Sequence, residues 1–297
     1  MIAGVQHGTE AAPLVSVIVA ARNGARNIQR CIDSVAGQTL PDRELIVMDG
    51  GSTDATPAIL QAAGSAVDYW ESVPDQGIYH AWNKAVARAR GEWLCFLGAD
   101  DYLWAPDTLE QFRAHLVAAL PRHKVVYGTV AVVSRSGETV AFIVQPWEQA
   151  RRRFFAAMSI PHPGTFHHRS LFVEHGPFDD RFCQAGDYDF LLREFRTRAP
   201  CYVPGLIQAG YEEGGVTTSL NAALRGVAER RRALVRNGIR PSRPSVIWMY
   251  VEDLGRVGLR SVFGEAAMRR VQRVYRSLAQ RRAVGAGSGF PEPGDVA

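Results

Sequence analysis

Residues 93–103 read WLCFLGADDYL. Apolar residues Trp93 to Leu97 run through Gly98 and Ala99 into two adjacent carboxylates, Asp100 and Asp101. An apolar run this short fits a strand buried on both faces of a sheet. The chain then leaves the sheet at the strand's carboxyl end, the edge at which open α/β sheets bind ligands. Side-by-side carboxylates repel unless a cation or solvent offsets their charge. A hard divalent ion such as Mg²⁺ or Mn²⁺ takes oxygen ligands of this kind and commonly brings substrate phosphates with it. The competing expectation is structural: with Pro106-Asp107 following, the pair could close the strand and open the next helix.

Upstream, strands and helices alternate. Leu14 to Ala20 (LVSVIVA) is β-branched and apolar, as a central strand is. After Arg22-Asn23-Gly24, residues Ile28, Cys31, Ile32 and Val35 recur at helical spacing. Glu44 to Met48 forms a second short strand ending in Asp49, followed by the turn Gly50-Gly51-Ser52-Thr53-Asp54. Pro57 suits the first turn of a short helix running to Gly64. Val67 to Glu71 is a third strand, Pro74 to Gly77 a turn, and Ile78, Ala81, Trp82, Ala85 and Ala89 trace another helical face. This alternation predicts a mostly parallel sheet with crossover helices. No GxGxxG follows the first strand and no P-loop sequence occurs, which argues against those two nucleotide sites. The turn after Asp49 still suits a nucleotide: small residues let backbone approach a ligand, and free carboxylates accept hydrogen bonds. Ser52, Thr53 or Asp54 equally suits a helix cap.

The 297 residues suffice for one large α/β domain plus an appendage, or for two modest domains. Cys31, Cys95, Cys183 and Cys201 are widely spaced and read as buried thiols of a reducing compartment. No signal peptide or membrane-spanning run is evident, so a cytoplasmic location is expected. The net charge of +4 is unevenly spread. Residues 222–283 carry fifteen Arg, no Lys and four acids, so the remainder is acidic. A split of this kind points to a partner for the basic part.

VSVIVAARNGARNIQRCIDSV, ELIVMDGGSTDAT and PDQGIYHAWNKAVARARGEWLCFLGADD together resemble the successive signatures of family 2 glycosyltransferases. HPGTFHHRSLF, GPFDDRF, AGDYDFLLR and EEGGVTTS continue the resemblance in the order seen in bacterial polysaccharide and glycolipid members, over roughly residues 14–220. Each motif is loose, and their order is the specific signal. The resemblance implies a GT-A fold and an inverting enzyme that uses a nucleoside-diphosphate sugar, a UDP-sugar being the first expectation. Asp49, with Gly51 and the turn to Asp54, would face the nucleoside. Ala20 and Arg22 at the exit of the first strand, and Asn83 and Lys84 on the helix before the metal strand, would line the donor pocket. Asp100 would meet the diphosphate, and Asp100 with Asp101 would hold Mg²⁺ or Mn²⁺. Asp187 in AGDYD would be the catalytic base. The sequence departs from the family pattern at Arg22, His80, Gly98 and Gly186.

The chemistry explains why two carboxylate sites are needed. In an inverting displacement the attacking hydroxyl loses its proton to a nearby base, an effect worth about 10²–10⁴-fold. The departing diphosphate gains charge that a divalent ion offsets. Asp101 and Asp187 lie on different elements, and Asp187 opens a helix whose inner face is Tyr188, Leu191, Leu192 and Phe195. Asp189 reads as structural. His162 reads as structural or substrate-facing, and Gly214 to Thr217 as a closing loop or a surface turn. Trp82, Trp93 and Trp104 read as core. Two rival functions are a sugar-nucleotide pyrophosphorylase, whose Gly-rich, Arg-containing loop AARNGARN does not match, and a non-catalytic nucleotide- or glycan-binding scaffold.

Ile247, Val251, Leu254 and Val257, then Val271, Val274 and Leu278, are apolar at helical spacing with Arg between them. Such a segment reads as a peripheral membrane contact on the inner face of the plasma membrane, or as a helix packed on the domain. No nucleic-acid recognition motif is visible. The expected organisation is a disordered N-terminus (1–13), a GT-A domain (14–220), a basic helical extension (221–284) and a disordered tail (285–297). The acceptor would be a glycan or a lipid-linked sugar.

Overall fold

The computed structural model describes residues 12–135, 137–212, 220–242, 247, 249 and 251. The 93–103 stretch forms β4 (Trp93–Gly98) and the short β5 (Tyr102–Leu103). Around β4 stand β1 (Val15–Ala21), β2 (Arg43–Asp49) and β3 (Tyr69–Ser72), giving the parallel order β3-β2-β1-β4. Beyond β4 the sheet becomes mixed. β8 (Phe166–His168) pairs antiparallel with β4 and with β6 (Val125–Val133). β9 (Cys201–Glu212) runs parallel to β6, and β7 (Thr139–Ile143) antiparallel to it.

Successive strand side chains point to opposite faces, so one strand feeds two cores. Val17 and Val19 of β1 join Cys31, Ile32 and Val35 of α1 (Ile28–Ala36) and Leu60 of α2 (Thr56–Ala62). The third helix of that layer is α4 (Thr108–Ala119), through Leu109, Phe112 and Leu116. Ile18 faces the other way, into a core shared with α3 (Ile78–Arg88), α5 (Trp147–Phe154) and α7 (Gly186–Phe195). There Trp82, Phe96 and Phe178 meet with ring centroids 4.9–5.4 Å apart. The short α6 (Ser170–Glu174) adds Leu171.

The face of α1 is the one expected: all four periodic residues are buried. In α3 the face is rotated, with Tyr79 buried and Ile78 exposed. Trp82 and Trp93 are core, whereas Trp104 is half-buried. Cys31 and Cys95 are buried as expected, but Cys183, in the turn before α7, is exposed and Cys201, at the start of β9, is half-buried.

The first helix of the Arg-rich segment, α8 (Leu220–Arg236), lies on α7 and buries Ala223, Val227, Ala233 and Leu234. Its Glu229 carboxylate accepts the backbone N–H groups of Cys183 (3.0 Å), Gln184 (2.8 Å) and Ala185 (3.1 Å). The Ala185 N–H is one of the donors that a helix start leaves open, the other two lie in the turn before it, and a carboxylate there also complements the helix dipole. Asn237 donates to Asp189 Oδ1 at 3.0 Å and ties the other end of α8 to α7. Asp189 is therefore structural, paired also with Arg193 at 3.4 Å. Residues 1–11, the segment 213–219 with Gly214 to Thr217, and 252–297 with the second apolar repeat lie outside the described residues.

Candidate active site

The strand register levels the carboxyl ends of the parallel half. Ala21 is opposite Asp49, and Ala20 is opposite both Met48 and Gly98. The loops that leave these three strands therefore share one rim, and they are laced together. Asn23, at φ 52°, donates its N–H to Ser52 Oγ (2.6 Å) and accepts from Thr53 N–H (2.9 Å). Asp54 accepts from Ala25 N–H (3.1 Å) and from the Thr56 hydroxyl (2.6 Å), which with other hydrogen bonds holds its pKa below the usual range. Arg22 is exposed on this rim, and Ala20 is half-buried.

Asp49 is 1% exposed, and its carboxylate accepts from Ser52 N–H, Ser52 Oγ and Ser72 Oγ. Gly51 follows at φ 75°. A third carboxylate, Asp75, lies over Gly50 and accepts from Gly77 N–H at 3.0 Å. Sequence reasoning took Pro74 to Gly77 as a plain turn. The signal was available: Asp75 follows β3 just past the same sheet edge that Asp49 closes.

At the end of β4 the situation differs. Asp101 is 5% exposed, and its Oδ2 accepts from Gly98 N–H at 2.8 Å. Its Oδ1 is buried without a partner. Burial and the neighbouring Asp100 push Asp101 up to about 8, and burial raises Asp100 as well. A Cβ on Gly98 would stand 2.8 Å from Asp100 Oδ1 and 3.1 Å from Asp101 Oδ2, so both carboxylates fold over this glycine. Two raised carboxylates and one orphaned oxygen fit a hard divalent cation. Arg30 braces the turn by donating to the Asp100 carbonyl (2.8 Å) and to Glu212 of β9 (3.1 Å). Glu212 stood in the EEGG motif but had no role assigned, since its partners Arg26 and Arg30 are distant in sequence.

Asp187 opens α7 and lines a cavity of about 350 Å³. Tyr79 donates its hydroxyl to Asp187 Oδ1 (2.9 Å), and Tyr188 N–H donates to the same oxygen (2.8 Å). Burial raises the Asp187 pKa against these two donors. His162, Gln184, Tyr211 and Arg230 line the same cavity. His162 stacks on Trp82, its Nε2 has no partner, and burial pulls its pKa down to about 3. Its ring also stacks on Phe96, 5.9 Å away and two residues before Gly98. Tyr211 precedes Glu212, which reaches toward Asp100 through Arg30. The cavity and the β4 rim are thus joined by single contacts.

The remaining sequence candidates are engaged within the protein. Asn83 exchanges hydrogen bonds with the Phe178 backbone (2.9 and 3.0 Å), and Lys84 pairs with Glu71 at 2.6 Å. Among the described residues, Glu174, His175 and Glu194 form one further acidic group with ligand atoms within 4.8 Å. Arg198 pairs with both glutamates and Lys124 with Glu174, so cationic side chains already hold it.

A family profile described as "Glycosyl transferase family 2" matches residues 16–173. The chain belongs to glycosyl transferase family 2. It is 34% identical over 217 residues to a "PGL/p-HBAD biosynthesis glycosyltransferase" of Mycobacterium bovis, a match covering 71% of this chain and 81% of that protein. It is 33% identical over 187 residues to the chondroitin synthase of Escherichia coli, covering 61% of this chain and 26% of that one. In structure it resembles Staphylococcus aureus TarS 1–349 in complex with UDP-GlcNAc, with TM-score 0.58, 19% identity, and 84% and 73% of the two chains covered. A mannosyltransferase of Pyrobaculum calidifontis in complex with GDP-Man and Mn²⁺ gives TM-score 0.56 at 18% identity, covering 97% and 79%. The GT-A fold and the glycosyltransferase class are those expected from the sequence.

Proposed function

We propose that this glycosyltransferase takes a nucleoside-diphosphate sugar, a UDP-sugar first, and transfers the sugar with inversion to a hydroxyl of a glycan or lipid-linked acceptor. The observation that carries the reading is Asp101 Oδ1, a buried carboxylate oxygen with no partner beside a second raised carboxylate. Asp100 and Asp101 would hold Mg²⁺ or Mn²⁺, which when bound offsets the charge of the departing diphosphate. The rim of Ala20, Arg22, Asp49, Gly51 and Asp54 lies at the same sheet edge and suits the nucleoside. Asn83 and Lys84, engaged with Phe178 and Glu71, would brace α3 behind the donor. The UDP-GlcNAc held by TarS and the GDP-Man with Mn²⁺ held by the Pyrobaculum enzyme support a donor and ion of these classes.

Asp187 would accept the proton of the acceptor hydroxyl as its oxygen bonds the anomeric carbon and the bond to the diphosphate breaks. Both hydrogen bonds to Asp187 fall on Oδ1, which leaves Oδ2 for that proton. A base raised by burial is better matched to neutral pH than an ordinary aspartate.

A lipid-linked acceptor would suit the exposed surface of the Arg-rich segment. Leu220, Leu224 and Val235 of α8, with Ile247 and Val251, are exposed, and so are Arg225 and Arg231. Apolar residues flanked by Arg suit peripheral contact with an anionic membrane. Among the described residues no helix is long and apolar enough to cross one.

The test is binding and turnover across a panel of nucleotide-sugars with Mn²⁺ for wild type, Asp101→Ala and Asp187→Asn. One consumed donor, lost donor binding in Asp101→Ala, and retained binding with turnover down about 10²–10⁴-fold in Asp187→Asn are expected. If no donor binds and neither substitution matters, the proposal fails.

A further inference from the structure

The structure assigns Tyr79 as the positioning residue of Asp187: its hydroxyl, carried by α3, fixes the carboxylate so that Oδ2 faces the acceptor. This rests on the reading of Asp187 as the base.

The tyrosine is locked on every side. It is 3% exposed, edge-on to Trp82 at 5.5 Å and against Phe178 at 5.8 Å. On its remaining face lies Gly186, where an added Cβ would stand 2.8 Å from the ring's Cδ2 and Cε2. Gly186 is one of the positions at which this chain departs from the family pattern. Here the absent side chain is the space the ring occupies. The hydroxyl then lands 2.9 Å from Asp187 Oδ1, and the Tyr188 N–H adds the second donor to that oxygen. A carboxylate with both donors on one oxygen has a fixed rotamer and one acceptor atom left for chemistry.

Burial is the largest influence on Asp187, and the Tyr188 N–H and the Tyr79 hydroxyl oppose it. Glu229 of α8 opposes ionisation, and Arg230 of α8 lines the same cavity. His162, brought down by burial, is neutral there, and Tyr188 and Tyr211 complete the ring of titratable groups. Tyr79 itself is pushed well above the ordinary tyrosine value by burial and by Asp187, so it remains a donor throughout the working range.

Tyr79→Phe in the full chain keeps the ring on Gly186 and removes only the donor. We expect kcat to fall about 10-fold or more at neutral pH, with donor KM unchanged. We also expect the acid limb of the kcat–pH profile to move to higher pH, because losing a donor to the ionised form raises the pKa of the base. A purely packing role would not move that limb, and an unmoved limb overturns the assignment. Gly186→Ala gives a second reading: it should cost activity with Tyr79 present and cost much less in a Tyr79→Leu background. Additive losses would mean that the ring–glycine contact does not hold the site. Asp187→Asn, run beside these, separates the two claims. If Asp187→Asn keeps wild-type turnover, the base reading fails. If its turnover falls about 10²–10⁴-fold and the Tyr79→Phe limb stays in place, only the positioning claim falls.

Discussion

Asp49 and Asp101 close strands on either side of β1, at the same edge of the same sheet, and both are almost fully buried. Asp49 accepts three hydrogen bonds from two serines, one of them on the neighbouring strand β3. Asp101 accepts one, from Gly98, and keeps an oxygen with no partner. A buried polar atom without a partner costs roughly 1–3 kcal/mol, more if charged. The Asp49 site is complete without a ligand, whereas the Asp101 site is stable only if protonated or met by a cation. Position at the carboxyl edge does not separate a carboxylate whose hydrogen bonds are met within the protein from one left short of donors. The supply of local donors does.

Exchanging each carboxylate for its amide isostere would break or sharpen this contrast most. Asp101→Asn should abolish the Mn²⁺-induced rise in Tm and weaken Mn²⁺–UDP binding by at least about 10–100-fold, read by calorimetry. Asp49→Asn should keep the Mn²⁺ response and lose about 2 kcal/mol of stability, since an amide offers donors where the serines already donate. That loss corresponds to a fall in Tm of roughly 4–8 °C for a domain of this size. If Asp49→Asn loses the ion response and Asp101→Asn keeps it, the two roles are reversed.

Gly98→Ala tests the geometry of the open site with no change of charge. The new Cβ would meet Asp100 Oδ1 and Asp101 Oδ2 and push the carboxylates apart. Mn²⁺ affinity should drop by about 10-fold, with far-ultraviolet circular dichroism unchanged. Equal affinity would mean that the carboxylates need not converge over the glycine.

The contrast was partly legible in the sequence. Helical periodicity placed Ile28, Cys31, Ile32 and Val35 in the core because a face repeats every 3.6 residues whatever lies opposite. The strand ends and their aspartates were legible for the same local reason. What local pattern cannot carry is the partner from elsewhere in the chain. Nothing near Asp49 announces Ser72 as a donor, and nothing near Tyr79 announces Gly186 and Asp187, which α7 brings to it. Glu229 was hidden differently: within an Arg-rich run it reads as one surface acid, yet it holds three backbone N–H groups at the start of α7. Ile78 misled for the complementary reason, since an apolar residue at helical spacing can still face solvent when the bulkier Tyr79 takes the core.

A dependence on pH reads the open site directly. Asp101 has a folded pKa of about 8, above the 3.8 of an ordinary aspartate. A group raised on folding stabilises fully below its unfolded pKa, and that contribution is lost as pH rises through the folded value. Without a divalent ion, Tm should therefore decline as pH rises from about 4 to 8, and Asp101→Asn should flatten that decline. Binding of Mn²⁺ requires the ionised carboxylate, so it should release a proton and strengthen with pH across the same window. Calorimetry in two buffers of different ionisation enthalpy would measure that proton. A wild-type profile that matches Asp101→Asn, with no proton released, would place Asp101 among the satisfied carboxylates and remove the asymmetry between β2 and β4.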